Sequence, residues 1–126
     1  MAKKVDGGYI LNGRKRWIGN STFPNSVVVV WARNEDEGGK IQGFLVESSF
    51  PGYAVETIKN KYALRIVQNG DITLTNVFVP DNNRLAKATD FATGTNVILA
   101  HSRIKVAWCA TGIAAGAYEA ALRYAM

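Results

Sequence analysis

RKRWIGNSTF, Arg14 to Phe23, sets a tryptophan behind three consecutive cations and then drops into Gly-Asn-Ser. Just ahead of it, Asn12-Gly13 is the strongest short hairpin signal, because Asn and Gly tolerate the positive φ angles of a type I′ turn. GGYILNG therefore reads as one strand and RKRWI as its return. Three roles are open for Trp17 on that return strand: an aromatic among cations for nucleic acid, a buried anchor, or the wall of a cofactor site. The choice rests on what surrounds it.

Working outward, VVVVWAR (Val27–Arg33) is a continuous β-branched run, which predicts a strand buried on both faces. NEDEGG (Asn34–Gly39) is an acidic exposed turn, and IQGFLVES (Ile41–Ser48) is the next strand. Pro51-Gly52 turns the chain into YAVETIK (Tyr53–Lys59). DITLTNVFV (Asp71–Val79) alternates Ile72, Leu74 and Phe78 with polar or smaller residues, and Pro80 ends it. Short strands at intervals of roughly ten residues, joined by turn signals, predict a mainly β fold, a small antiparallel barrel or sandwich.

The chain changes character across residues 81–93. From about Thr95 it is dense in alanine and reads as one long C-terminal helix, with Ile104, Trp108, Thr111 or Gly112, Ala115 and Leu122 on one face. About 30 residues of helix would be near 45 Å long, more than the β portion can cover. Small residues at Gly112 and Ala114–Ala117 (with Gly116 between) suit the close approach of another helix, and no other helix is predicted. The expectation is a fragment, or a chain completed in an oligomer.

Composition is that of an ordinary globular domain: 126 residues, 48% hydrophobic and 20% charged. No apolar run approaches the roughly 20 residues that cross a bilayer, so no membrane partner is expected. MAKKVDGGY has cations with no apolar segment behind them, unlike a secretory signal, and ALRYAM matches no targeting tripeptide. The net charge of +5 admits a polyanionic partner, but the cations are spread along the chain. Cys109 is the single cysteine and His101 the single histidine, which removes a disulfide framework and leaves no ligand set for a metal. Walker and GxGxxG loops and a nucleophile elbow are missing too.

The positive signal is the order of elements: Trp-Ile-Gly-Asn on a hairpin, a β-unit, ALR followed by DITLTNVFVPDNN, then a helix opening with HSRIKVAW. That order resembles the acyl-CoA dehydrogenase and oxidase flavoprotein family across essentially the whole chain. The family hairpin N-G-x-K-x-W-I-[TS]-N corresponds to Asn12, Gly13, Arg14, Lys15, Arg16, Trp17, Ile18, Gly19 and Asn20. The closing strand V-x-V-P corresponds to Val77–Pro80, and the arginine opening the next helix to Arg103. The resemblance implies a middle β-domain over 1–83, a linker over 84–93, and the first helix of a C-terminal helical domain over 94–126.

WIGNSTF, NKYALRIVQNGDI and HSRIKVAW look closest to the plant short-chain acyl-CoA oxidases, themselves similar to glutaryl-CoA dehydrogenase. Two departures from the dehydrogenase pattern stand out. Gly19 replaces the Thr or Ser whose hydroxyl meets the flavin, and Val67 replaces a Ser that follows the Arg65 position. The resemblance implies FAD as cofactor, with Trp17 against the flavin ring and the backbone of Ile18 and Gly19 at the same contact; Asn20 and Ser21 brace or shape that turn. It implies an acyl-CoA substrate, with Arg103 near the thioester and pantetheine and Asn96–Ser102, including His101 and Ser102, lining the same side. Bland readings stand beside these: Trp17 as a hairpin anchor, Arg103 and His101 as helix surface.

The family reaction removes the α-proton with a carboxylate as hydride leaves the β-carbon for FAD. The family glutamate lies in the C-terminal helical domain, and no acidic residue here matches it, so no catalytic residue is assigned. The 126 residues by themselves are expected to be inactive and to bind FAD weakly or not at all. A homo-oligomer, a tetramer in the family, is implied. The oxidase branch implies peroxisomal fatty-acid β-oxidation and the dehydrogenase branch the mitochondrial matrix. Two further readings are a truncated isoform associating with full-length subunits, and a basic β-barrel binding nucleic acid through Lys15, Arg16 and Trp17.

Overall fold

The computed structural model describes residues 1–126, in two compact units, Met1–Thr95 and Asn96–Met126. The first is built on six strands: β1 (Ala2–Val5), β2 (Gly8–Gly19), β3 (Val27–Asn34), β4 (Lys40–Glu47), β5 (Tyr53–Thr57) and β6 (Asn69–Pro80). They form one sheet in the order β4-β3-β1-β2-β6-β5. Neighbours pair antiparallel, except that β1 meets β3 in parallel through the pair Ala2–Asn34. The mainly β fold followed by one long C-terminal helix is as expected; because β4 and β5 do not pair, the sheet itself is open and mixed and not a closed antiparallel barrel.

The sheet is nonetheless strongly curled. Tyr9 on β2 and Phe44 on β4 stand three strand spacings apart, about 14 Å in a flat sheet. Their ring centroids are 5.0 Å apart, edge to face. Leu11, Val30, Val46, Ile72, Val77 and Val79 close around them, all fully buried. The inward set on β3 is Val28, Val30 and Ala32, while Val27 and Val29 are exposed. The burial of both faces expected for the valine run is therefore not found, since only the inner face of this single sheet is covered.

The hairpin also lies elsewhere. β1 and β2 join through Asp6-Gly7, with Gly7 at φ 71°, and AKKV pairs back onto Leu11 to Gly8. Asp-Gly offers the same turn chemistry as Asn-Gly. β2 runs on through Asn12-Gly13, which forms an irregularity rather than a turn: its register against β6 slips there and Gly13 adopts φ 138°. Asn12 spans the slip, its Nδ2 donating to Asn76 Oδ1 at 3.0 Å and its Oδ1 accepting from Asn76 N at 2.8 Å. RKRWI is thus the second half of β2, and its partner is β6.

Residues 84–93 are held against β4. Leu85 N donates to Gly43 O at 2.9 Å, Arg84 bridges Phe44, and Ala88 is buried. The helix α1 (Thr95–Ala125) has 31 residues, about 46 Å at 1.5 Å per residue. None of its residues is buried. Val106 and Ile113 project on the side opposite Ile104 and Trp108, so apolar groups encircle the helix instead of forming the single expected stripe.

Candidate cofactor-facing site

The second half of β2 is irregular where the first half is not. Between the pairs Lys15–Ile72 and Ile18–Gly70, β2 places Arg16 and Trp17 against Asp71 alone. The extra residue makes a β-bulge. Trp17 takes φ 64°, a conformation that costs a bulky side chain about 1–3 kcal/mol. The indole leaves the sheet and is 56% exposed.

The flanking cations are each engaged. Arg14 and Arg16 reach the Asp71 carboxylate at 3.2 and 3.6 Å, and the Arg16 guanidinium lies 5.5 Å from the centre of the Trp17 ring. Lys15 donates to the Trp31 carbonyl at 2.6 Å, and its burial lowers its pKa from the ordinary 10.5. Two of the three cations thus share the Asp71 carboxylate at the surface and the third is tied to a backbone carbonyl.

Below the indole, Ile18 and Gly19 pair with Gly70 and Asn69. Asn20 follows at φ 61°. Ser21 is buried, donates from Oγ to Ile18 O at 2.9 Å, and accepts from the Tyr53 hydroxyl at 3.2 Å on its own carbonyl. Ser21 thus braces the turn from inside the core.

The facing wall is the segment between β5 and β6. Lys61 Nζ donates to Leu64 O at 2.9 Å, to Val67 O, and to Asn69 Oδ1. Asn69 Nδ2 in turn donates to Trp17 O at 3.2 Å, and Asn20 N donates to Gln68 O at 2.8 Å. Between this loop and the indole opens a cavity of about 510 Å³ lined by Trp17, Lys59, Lys61, Tyr62, Leu64 and Asn69. A second groove of about 380 Å³ shares Lys59 and Lys61 and adds Arg65. Neither is lined by a carboxylate. A Cβ placed on Gly19 would stand 3.6 Å from Val67 Cγ1, so the two residues marked as departures in the sequence are neighbours in space. A flat apolar wall beside a cationic rim fits an anionic ligand with a planar ring, as a flavin dinucleotide is.

Trp17, Ile18 and Gly19 are therefore brought together in the first unit. His101, Ser102 and Arg103 lie in the second, on the early turns of α1, where His101 and Arg103 are exposed and the Ser102 hydroxyl bonds back to Leu99 O at 3.3 Å. Successive helical residues point about 100° apart, so Asn96–Ser102 winds nearly twice round the axis and does not line one side as a block. Lys61 and Asn69 were not among the sequence candidates. Lys61 bonds within its own loop and to Asn69, and Asn69 alone crosses from β6 to the bulge; no sequence motif announces either.

Fold and site together define a β-domain with an exposed aromatic wall beside a cavity. Residues 1–77 match the family model described as acyl-CoA dehydrogenase, middle domain, and the chain belongs to that family. It is 37% identical over 125 residues to benzylmalonyl-CoA dehydrogenase of Aromatoleum aromaticum, covering 98% of this chain and 33% of that one. It is 36% identical over 87 residues to mitochondrial isovaleryl-CoA dehydrogenase of Arabidopsis thaliana, covering 68% and 21%. Among solved structures it resembles a glutaryl-CoA dehydrogenase from Mycobacterium smegmatis in complex with FADH2, at TM-score 0.66 and 34% identity over 73% of this chain and 23% of that one. The chain thus spans no more than about a third of the length of the curated relatives it matches.

Proposed function

We propose that this chain supplies the flavin-facing β-portion, and an adjoining helix, of an enzyme that α,β-dehydrogenates short-chain acyl-CoA to 2-enoyl-CoA. One observation carries the reading: a bulge holds the Trp17 indole out of the sheet beside a cavity rimmed by Lys59 and Lys61. In that reading Trp17 walls the flavin ring from water, with backbone groups of Ile18 and Gly19 at its edge. Bound FAD supplies the acceptor for the hydride from the β-carbon. Gly19 offers a backbone N–H and no hydroxyl, and its neighbour Val67 offers no hydroxyl either. That pairing supports a flavin edge short of side-chain hydrogen bonds, in keeping with reoxidation by oxygen and an oxidase.

Arg103, with Ser102 and His101, is the proposed contact for the thioester and pantetheine, where a permanent cation suits phosphates and carbonyls. A homo-oligomer working in fatty-acid β-oxidation completes the proposal. The oxidase features favour the peroxisome; the mitochondrial naming of the Arabidopsis relative supports the mitochondrial matrix as the alternative.

Since the chain spans about a third of its relatives' length and no acidic residue in it matches the family base, the 126 residues alone are expected to bind FAD weakly or not at all and not to turn over acyl-CoA. Titration of the purified chain with FAD, followed by tryptophan fluorescence, tests the site. The expected result is a saturable quench that Trp17→Phe removes; an equal quench in that variant refutes the placement. Appreciable oxidation of butyryl-CoA by these residues would overturn the expected inactivity.

A further inference from the structure

The left-handed Trp17 needs something to hold it, and the structure shows a chain of donors that does so. Trp17 O accepts from Asn69 Nδ2 at 3.2 Å. A side-chain amide can present either its oxygen or its NH2 group to a neighbour, and the partner at its far end decides which. Here that partner is Lys61, whose ammonium has three donors and no acceptor. It meets Asn69 Oδ1 and thereby leaves Nδ2 to face Trp17 O. The same ammonium bonds Leu64 O and Val67 O, closing a loop in which Asn60 and Leu64 are themselves left-handed at φ 57° and 48°.

We propose that Lys61 and Asn69 are positioning residues for the Trp17 wall: Lys61 fixes the orientation of the Asn69 amide, and the amide fixes the Trp17 backbone that presents the indole. The proposal rests on the flavin-facing reading for its consequence in ligand binding, but not for its conformational part. It also explains why an unusual loop and an unusual bulge, 52 residues apart at their hydrogen bond, occur together: one lysine organises both.

Asn69→Asp separates this role from mere loop closure. The introduced carboxylate still accepts from Lys61, so the loop stays clamped, but it turns an oxygen instead of an N–H toward Trp17 O. Lys61→Met removes the clamp as well. In NMR spectra of the 126-residue chain, a positive-φ Trp17 gives a strong intraresidue HN–Hα NOE. Both variants are expected to lose it while the amide shifts of Ile72 and Leu74 in the core stay in place. FAD titration is expected to weaken roughly five- to tenfold, the effect of one lost hydrogen bond. An Asn69→Asp chain that keeps the strong NOE overturns the proposal, whatever Lys61→Met does. Loss of the NOE with FAD quenching unchanged leaves the positioning relay standing and sinks the flavin-facing reading instead.

Discussion

β2 is one strand with two characters. From Gly8 to Leu11 it pairs in regular register on both sides and sends Tyr9 and Leu11 into the core. From Gly13 to Gly19 it keeps only β6 as a partner, slips register twice, and carries its largest side chain outward in a strained conformation. The first half shows what stabilises the fold. The second shows what the stability of the first half supports: a bulge that would be unfavourable alone persists because its flanks are anchored in a packed sheet.

The largest effect is expected where the first half packs. Phe44 is fully buried and meets Tyr9 edge to face, so Phe44→Ala should lower unfolding free energy by about 3–5 kcal/mol. Urea denaturation measures this, and a loss below about 1 kcal/mol would show that the curled core is not the source of stability. Gly70 comes next. It pairs with Ile18 at the end of the irregular half, and a Cβ there would stand 2.3 Å from Ser21 Oγ and 2.6 Å from Val55 Cγ2. Gly70→Ala should cost about 1–3 kcal/mol as overpacking. It should also shift the Ser21 and Ile18 amide resonances, since the displaced hydroxyl bonds Ile18 O.

Much of the strand and helix order was legible in the sequence, and the reason is local. Strand alternation at Ile72 and Leu74 needs only a period of two, and the helix from Thr95 needs only alanine density, whereas the uniform valine run of β3 has no alternation to read and its exposed face at Val27 and Val29 was missed. The hairpin was misplaced because Asp6-Gly7 and Asn12-Gly13 carry the same turn chemistry, and local pattern does not say which will be used. The choice is made by β6: its pairing with both halves of β2 keeps the strand going through Asn12, and Asn76 closes on the irregularity. Trp17 could be picked out because the family motif surrounds it. Its bulge could not, for an aromatic at φ 64° contradicts its own local preference and is held by pairing with β6 and by a bond from Asn69, both distant in sequence. The same holds for Lys61, whose three acceptors have no signature in composition or spacing.

The site half should respond in the opposite sense to the core. Trp17→Gly removes a large side chain, yet it also removes the left-handed strain, which glycine does not feel. The two changes are similar in size, so stability should stay within about 1 kcal/mol of the parent, while the FAD-dependent quench is lost. A loss like that of Phe44→Ala would make Trp17 a core anchor after all and erase the distinction between the halves.

The smallest effect probes Lys15, the charged residue of the irregular half that faces inward beside Ile18. Lys15 is half-buried against the Trp31 carbonyl, and its folded pKa is lowered from 10.5 by desolvation. Between the folded and unfolded pKa values the unfolded chain therefore binds more protons than the folded one, and stability rises with pH across that interval. Below the folded value the lysine is charged in both states and its desolvation opposes folding in full; above 10.5 it is neutral in both and the opposition is gone. Denaturation midpoints measured from neutral pH up to pH 10.5 should thus climb relative to those of Lys15→Met, which has nothing to titrate there. Parallel curves for the two chains would mean that Lys15 is as well solvated as the arginines on either side of it, and that Ile18 alone carries the inward face of the irregular half of β2.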